Sequence, residues 1–186
     1  MFTALTRSPR LSTLSITVAA CCEDRGLSYI PGTALLPLTR LSALTKLSVH
    51  SVHVDLQPAD IAQLAAAWPH MQELGLANQF MYYGCPELDF HPSICIEDIY
   101  PFAERCPALR TLAVAVAGDI APAVPCQNPR VARWSLRKLS LASSRFEEGE
   151  ECARVAVFIR EVFPAVCEEF HMLEEGAKSE IQELLL

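Results

Sequence analysis

The chain has 186 residues, of which 51% are hydrophobic and 20% are charged, and its formal net charge is −7. This length and composition predict a single folded domain over residues 1–186, because the chain can bury one hydrophobic core and is too apolar to stay disordered. The longest apolar run, residues 112–117, falls far short of the ~20 residues of a membrane span, and the lack of a basic cluster in the sequence argues against nucleic acid as a partner.

The first segment combines features of a targeting peptide and of a repeat. Arg7 and Arg10 precede a moderately apolar stretch over residues 11–22, which is the pattern of a signal or transit peptide. Residues 9–16, however, repeat the pattern of residues 107–114 position for position. We therefore interpret the stretch as the first strand of a repeat and expect an intracellular protein of the cytoplasm or nucleus, with a targeting peptide as the alternative.

A short apolar pattern, Leu-x-x-Leu-x-Leu with Val, Ile or Met as occasional replacements, recurs five times along the chain. Successive copies start 33, 27, 38 and 27 residues apart, within or just above the period of leucine-rich repeats. A single unit of this kind cannot cover the apolar face of its own strand, so each unit has to stack on a neighbouring copy. The sequence therefore predicts an α/β leucine-rich-repeat solenoid of about five irregular strand-loop-helix units, with a parallel sheet on its concave side. The five copies are Leu11/Leu14/Ile16, Leu44/Leu47/Val49, Met71/Leu74/Leu76, Leu109/Leu112/Val114 and Leu136/Leu139/Leu141.

The segments between these strands carry helix signals. Residues 58–68 begin with a proline and an acid in the first turn, keep apolar residues at helical spacing, and end before Pro69. The same order returns in residues 96–106 and 147–163, each of which is also followed by proline. Each predicted unit is therefore a strand, a loop and a helix.

Negative charge is concentrated at the C-terminus. Residues 147–186 contain eleven glutamates and three basic residues, a balance of −8, so residues 1–146 carry a net charge of +1. Glutamates that open a helix are favoured by its dipole. We therefore predict that residues 147–186 form acidic C-terminal capping helices, with a site for a basic partner as the alternative.

One consensus feature of leucine-rich repeats is missing from the sequence. The position eight residues after the first Leu usually holds an Asn or Cys, whose side chain satisfies backbone groups in the turn. Without that ladder we expect the units to stack with irregular curvature. The five residues at this position are Ala19, Val52, Gln79, Ala117 and Ser144.

Several segments together resemble the degenerate leucine-rich-repeat regions of fungal F-box-type proteins. In that family an N-terminal F-box binds the adaptor subunit of a cullin-type ubiquitin ligase, while the repeats recognise a substrate. The segments are Trp68-Pro-His-Met-Gln-Glu-Leu-Gly-Leu76, Phe102-Ala-Glu-Arg-Cys-Pro-Ala-Leu-Arg-Thr-Leu112, and Ser135-Leu-Arg-Lys-Leu139 with Val155-Ala-Val-Phe-Ile159 and Val162-Phe-Pro164.

The resemblance implies a non-enzymatic protein–protein interaction module, the substrate-recognition part of an F-box-like ubiquitin-ligase subunit. This sequence contains no Leu-Pro-x-Glu opening of an F-box, so the ligase adaptor is expected as a partner only through an F-box upstream. The alternative is a truncated leucine-rich-repeat gene product without independent function.

The side chains between the core leucines are the first candidates for partner binding. Side chains alternate along a strand, so these residues are expected on the concave face. Binding hot spots favour Trp, Tyr and Arg, which this face lacks, and an unspecialised surface is therefore the alternative. The candidates on this face are Lys46, His50, Glu73 and Lys138.

The long connection over residues 77–92 is the second candidate surface. It gathers Tyr82, Tyr83 and Phe90, and aromatic residues on loops are enriched at recognition sites. The alternative is that these aromatic side chains anchor the loop to the solenoid.

The sequence gives little sign of an enzyme. It contains no Gly-x-Ser-x-Gly motif and no glycine-rich phosphate loop. Its eight cysteines include no Cys-x-x-Cys pair, and Glu168 with His171 forms only half of a paired Glu-x-x-His metal motif. We therefore expect free thiols and neither a metal nor a cofactor. The alternative is an enzyme that pairs Cys85 with His91.

Overall fold

A computed structural model of the chain describes residues 8, 10–18, 29–50, 53–76, 91–118, 135–141, 144, 146–147, 149–168, 170–171 and 175–185. Over these residues the protein is a mixed α/β structure, and its main sheet is open. The strands are β1 (Thr13–Thr17), β2 (Tyr29–Pro31), β3 (Lys46–His50), β4 (His53–Asp55), β5 (Glu73–Gly75), β6 (Thr111–Ala113), β7 (Lys138–Ser140) and β8 (Phe170–His171). The helices are α1 (Pro58–Ala67), α2 (Tyr100–Arg105), α3 (Glu150–Val162) and α4 (Glu175–Leu185), with 3₁₀ segments at Gly32–Arg40, Ile96–Ile99 and Pro164–Glu168.

The main sheet is parallel throughout, in the order β1-β3-β5-β6-β7-β8, and β2 pairs with β4 in a separate parallel ladder. Its register aligns the second leucine of each predicted unit with that of the next unit. The four inner leucines of this row are 0% exposed, because the row forms the core face of the sheet. The predicted parallel sheet is therefore confirmed. The row runs Leu14, Leu47, Leu74, Leu112, Leu139 and Phe170.

Four helical segments end in the same way. The C-cap, which is the first residue past each segment, leaves the helical conformation. The carbonyl of this C-cap accepts the N–H of the residue three positions further along the chain. Proline follows three of the four caps, because its ring cannot continue a helix. These pairs are Leu44 to Leu41, Met71 to Trp68, Leu109 to Cys106 and Val166 to Phe163, with N···O distances of 2.9 to 3.0 Å.

Neighbouring strands are also tied together where they begin. In each pair of neighbouring strands from β1 to β7, the residue just before the first strand accepts two hydrogen bonds through its carbonyl. The donors are two consecutive N–H groups at the start of the second strand, at N···O distances of 2.7 to 3.1 Å. The repeated bonds hold successive strands at the same height, which keeps the leucine row in register. The accepting carbonyls belong to Ser12, Thr45, Gln72 and Arg110.

Two helical segments begin with the same buried carboxylate cap. The Gln57 N–H donates to Asp60 Oδ2 ahead of α1, and the Cys95 N–H donates to Asp98 Oδ2 ahead of the 3₁₀ turn that leads into α2, both at 3.0 Å. Asp60 and Asp98 are both buried. The acid predicted to complement the helix dipole at the start of α1 therefore also satisfies a backbone donor directly.

At one of the five positions where the consensus Asn or Cys is missing, another side chain accepts a backbone hydrogen bond. Ser144 is buried, and its Oγ accepts the N–H of Val116 in the preceding unit at 2.9 Å. A hydroxyl oxygen therefore satisfies the kind of backbone donor that the consensus Asn or Cys serves. At Ala117, a side chain without polar atoms cannot do this, and its backbone N–H donates to Ile94 O at 2.8 Å. Ala19, Val52 and Gln79 lie outside the described residues.

The C-terminal segment contains a strand in addition to the predicted helices. Between α3 and α4, Phe170 and His171 pair with Leu139 and Ser140 as the sixth strand of the sheet. Phe170 is buried and extends the core row by one residue. A strand of two residues is too short to show alternation in the sequence, so the predicted run of capping helices over residues 147–186 missed it.

Helix α4 is attached to the start of α3. Both carboxylate oxygens of Glu180 lie within hydrogen-bond distance of the Gly149 N–H, at 3.0 and 3.1 Å. Gly149 has φ of 93°, a conformation that glycine adopts at no steric cost. A carboxylate at a helix N-terminus is favoured by the helix dipole, so part of the acidity of this segment has a structural role. In the described part of the chain, no helix is both long and apolar enough to cross a membrane.

Candidate functional site

The face of the sheet opposite the core row carries the predicted candidates in ordered rows. The register brings Lys46, Glu73 and Lys138 into a single row, although 27 and 92 residues separate the last two from the first. His50 lies opposite Thr17 at the far end of β3. The first row is Thr13, Lys46, Glu73, Thr111 and Lys138, and the second row is Ser15, Ser48, Gly75, Ala113 and Ser140.

Two of the four candidates on this face pair with each other. Lys46 Nζ donates to Glu73 Oε1 at 2.6 Å, and the two side chains are 44% and 48% exposed. An ion pair this exposed contributes only about 0 to 1 kcal/mol to folding, because water screens it. Its main effect is to hold one positive and one negative charge at adjacent positions on the surface.

Exposure on this face falls from β1 towards β7. The Thr and Ser side chains of β1 are exposed and those of β3 are partly exposed, whereas Ala113 is 1% and Ser140 is 4% exposed. The expectation that all five strands present this face to solvent is therefore wrong at Ala113 and Ser140, whereas Thr111 and the predicted candidate Lys138, in the first row of β6 and β7, are partly exposed. We call the part on β1, β3 and β5, where both rows are accessible, the open face. Its residues are Thr13, Ser15, Thr17, Lys46, Ser48, His50, Glu73 and Gly75.

Comparison with known proteins adds no residue assignment to this surface. No model of a known protein family matches the chain, and no curated protein is similar to it. The geometry of the open face is therefore the basis for any functional conclusion.

The aromatic candidates of the long connection are not part of this geometry. Tyr82, Tyr83 and Phe90 lie outside the described residues, and so does Cys85. His91 is described and exposed. The pairing of Cys85 with His91 and the two predictions for this connection therefore stay predictions.

Cys95 and Cys106 are free, buried thiols, and Cys152 is buried as well. Burial, with hydrogen bonds to Glu97 and Asp98 as smaller causes, raises the pKa of Cys95 to about 12. Burial also raises the pKa of Cys106 to about 11. A nucleophilic cysteine needs a lowered pKa, so these two thiols are suited to packing and hydrogen bonding and unsuited to attack on a substrate.

Each of these two thiols has an identifiable structural role. Cys95 Sγ donates to Asp98 Oδ2 at 3.2 Å and joins the carboxylate cap ahead of α2. Cys106 Sγ lies 3.7 Å from Ala65 O in the preceding unit. Among the described residues, no group of three or more His, Cys, Asp and Glu side chains is arranged to hold a metal ion.

The raised pKa of Cys95 predicts a loss of stability at alkaline pH. Below its ordinary pKa of 9.0 the thiol is protonated in both the folded and the unfolded chain. Above that pH the unfolded chain loses the proton, while the folded chain keeps it until about pH 12, so stability falls as the pH rises through this window. We expect Cys95 to account for about 1 kcal/mol of the stability lost between pH 9 and pH 10.

The matched variant is Cys95→Ser, whose hydroxyl keeps a donor near Asp98 and does not titrate in this range. Urea unfolding at both pH values should show a smaller alkaline loss for the variant than for the wild type. Identical losses in the two proteins would contradict the assignment of this proton to Cys95.

Proposed function

We propose that the chain is an irregular leucine-rich-repeat solenoid that binds a protein partner through its open face and catalyses no reaction. The repeat assignment is supported by the second leucines of successive units lying directly opposite one another. It is also supported by the common helix ending at Leu41, Trp68, Cys106 and Phe163. Units that repeat both side-chain register and backbone bonding stack as the units of repeat proteins do.

The open face is the observation that carries the binding proposal. It is a polar surface on adjacent parallel strands, and its second row, Ser15, Ser48 and Gly75, has short or no side chains, so a partner can approach the backbone closely there. Lys46 and Glu73 supply charges of both signs, and His50 supplies an imidazole ring at one end of the surface. None of its residues is Trp, Tyr or Arg, so the aromatic anchors of such an interface would come from the partner.

The resemblance to F-box-type repeats suggests the biological role of this surface. In that family the repeats recognise a substrate for ubiquitin transfer, so we propose that the partner is a protein substrate. Binding of the ligase adaptor would need an F-box and is not attributed to the described residues. The alternative is a truncated gene product, which would have the same fold and no partner.

The test uses site-specific photo-crosslinking in cells followed by binding measurements on the purified protein. A photoreactive amino acid replaces Ser48 at the centre of the open face or, as the control, Gln63 on the exposed side of α1. A protein captured only from position 48 is then purified, and its Kd is measured for the wild type, Lys46→Ala, His50→Ala and Gln63→Ala. We expect the two open-face variants to bind about tenfold more weakly and the α1 variant to bind normally.

Either of two results would contradict the proposal. One is capture of the same proteins from both positions, which means that the open face is not distinguished from the rest of the surface. The other is a Kd that changes only with Gln63→Ala, which assigns binding to the helical side.

A further inference from the structure

Strand β1 lies at one end of the main sheet. Among the described residues it pairs with β3 on one side, and no strand lies on its other side. Leu14 is only partly buried here, whereas Leu47, its neighbour in the core row, is 0% exposed. The core row of the sheet is therefore incompletely covered at this edge.

The sequence of this edge lacks the devices that usually protect a free strand. Edge strands of natural proteins commonly carry a lysine, a proline or a bulge, which prevent pairing with another chain. Residues 11–18 contain no charged residue, no proline and no glycine. Their backbone can therefore accept a further strand without burying a charge.

The sequence of β1 has almost the same order of apolar and hydroxyl side chains when it is read from either end. Thr13-Leu14-Ser15-Ile16-Thr17 has Ser15 at its centre, with Leu14 and Ile16 on the core side and hydroxyl side chains on the open face. In an antiparallel pair of such strands centred on Ser15, Leu14 would lie opposite Ile16 and Thr13 opposite Thr17. Both the apolar row and the hydroxyl row would then continue across the junction.

We propose that a second copy of this chain pairs with β1 in the antiparallel direction and forms a dimer with two-fold symmetry. Pairing of β1 with β1 is isologous and closes after two copies, whereas pairing of β1 with β8 of another copy would continue as a filament. The dimer joins two six-stranded sheets into one sheet whose outer edges are the two β8 strands.

The charge distribution of the chain favours this arrangement over the filament. Each copy carries −7, and the balance of −8 in residues 147–186 includes β8 and the helices on either side of it. Two-fold pairing through β1 keeps the two acidic segments at opposite ends of the joined sheet and brings uncharged strands together. Repulsion between the two copies is therefore smallest in this geometry.

Two strands of five residues form a small contact. An interface of this kind buries less than about 1,200 Å², which is the size of weak and transient complexes, so we expect a dissociation constant in the micromolar range. The contact uses the edge of the sheet and leaves its open face free. The dimer therefore does not depend on the proposed partner binding, and it can be tested on the isolated chain.

The test is a charge swap at the two-fold axis, measured by sedimentation velocity over a concentration series. In the proposed dimer Ser15 lies opposite Ser15 of the second copy, and like charges directly opposite each other destabilise a strand pair. We expect the wild type to approach twice its mass of 20.5 kDa. Ser15→Lys and Ser15→Glu alone should each dimerise about tenfold more weakly, and an equimolar mixture of the two variants should recover the association.

Thr111→Lys, which adds the same charge to β6 three strands away from the edge, is the matched control and should dimerise like the wild type. Circular dichroism confirms that each variant keeps its fold. A wild type that stays monomeric throughout the series overturns the proposal. The proposal is also overturned if the mixture of the two Ser15 variants associates no better than each variant alone. That result would indicate head-to-tail pairing, which does not place Ser15 opposite Ser15.

Discussion

Replacing Leu112 by Ala should lower the free energy of unfolding by about 3 kcal/mol, within the range of 2 to 5 kcal/mol for truncation of a buried leucine. Leu112 is 0% exposed on β6, and the register sets it between Leu74 and Leu139. Because neighbours on both sides hold their own positions in the core row, the site cannot collapse to fill the space. Denaturant unfolding of the wild type and the variant measures the difference.

The matched control is Thr111→Ala on the same strand. Its side chain lies on the opposite face and is partly exposed, so its removal should cost less than about 0.5 kcal/mol. Both substitutions leave alanine at strand positions, and the comparison therefore isolates burial. Equal shifts of the unfolding midpoint would mean that the register of β6 is wrong.

Replacing Trp68 by Ala should be at least as damaging, with a cost of about 4 kcal/mol. The indole is 0% exposed at the end of α1, and its Nε1 donates to Leu38 O in the preceding helical segment at 3.3 Å. Truncation removes the largest packed side chain of the unit and one of the two hydrogen bonds to Leu38 O, which also accepts the Leu41 N–H at 2.9 Å. The loss should appear in thermal and in denaturant unfolding alike.

Trp68→Phe separates these two contributions. Phenylalanine keeps much of the packed ring but cannot donate to Leu38 O, so we expect a cost of about 1 to 2 kcal/mol. A cost as large as that of Trp68→Ala would show that the hydrogen bond outweighs the packing. The next unit makes the same contact with a smaller group, since the thiol of Cys106 points to Ala65 O.

Much of the core could be predicted from the sequence. The spacing of Leu47, Leu74, Leu112 and Leu139 identified the buried side of β3, β5, β6 and β7, because alternation along a strand depends only on local geometry. Proline after the apolar stripe identified the ends of α1 and α3 in the same way. These features depend on residues a few positions apart, so the sequence contains them.

Other elements could not be predicted because they depend on distant partners. Strand β8 has two residues, too few for alternation to be recognised, and β2 and β4 lack the repeated Leu-x-x-Leu-x-Leu spacing that identified the equally short strands β5, β6 and β7. Each is a strand only because a parallel neighbour accepts its hydrogen bonds. Likewise, nothing in the sequence near Ser144 indicates that its hydroxyl serves the N–H of Val116, 28 residues earlier.

For the candidate site too, some features could be predicted from the sequence and others depend on the tertiary structure. Alternation along each strand was enough to assign Lys46, His50, Glu73 and Lys138 to the side opposite the leucines. Only the register brings Lys46 and Glu73 within 2.6 Å, since that contact depends on which strands are neighbours and at what height. Only the assembled chain makes the same face accessible at β1 and buried at Ala113 and Ser140, because exposure depends on everything packed around a side chain. The sequence by itself therefore determined which side chains face away from the core, and the tertiary structure decided which of them a partner can reach.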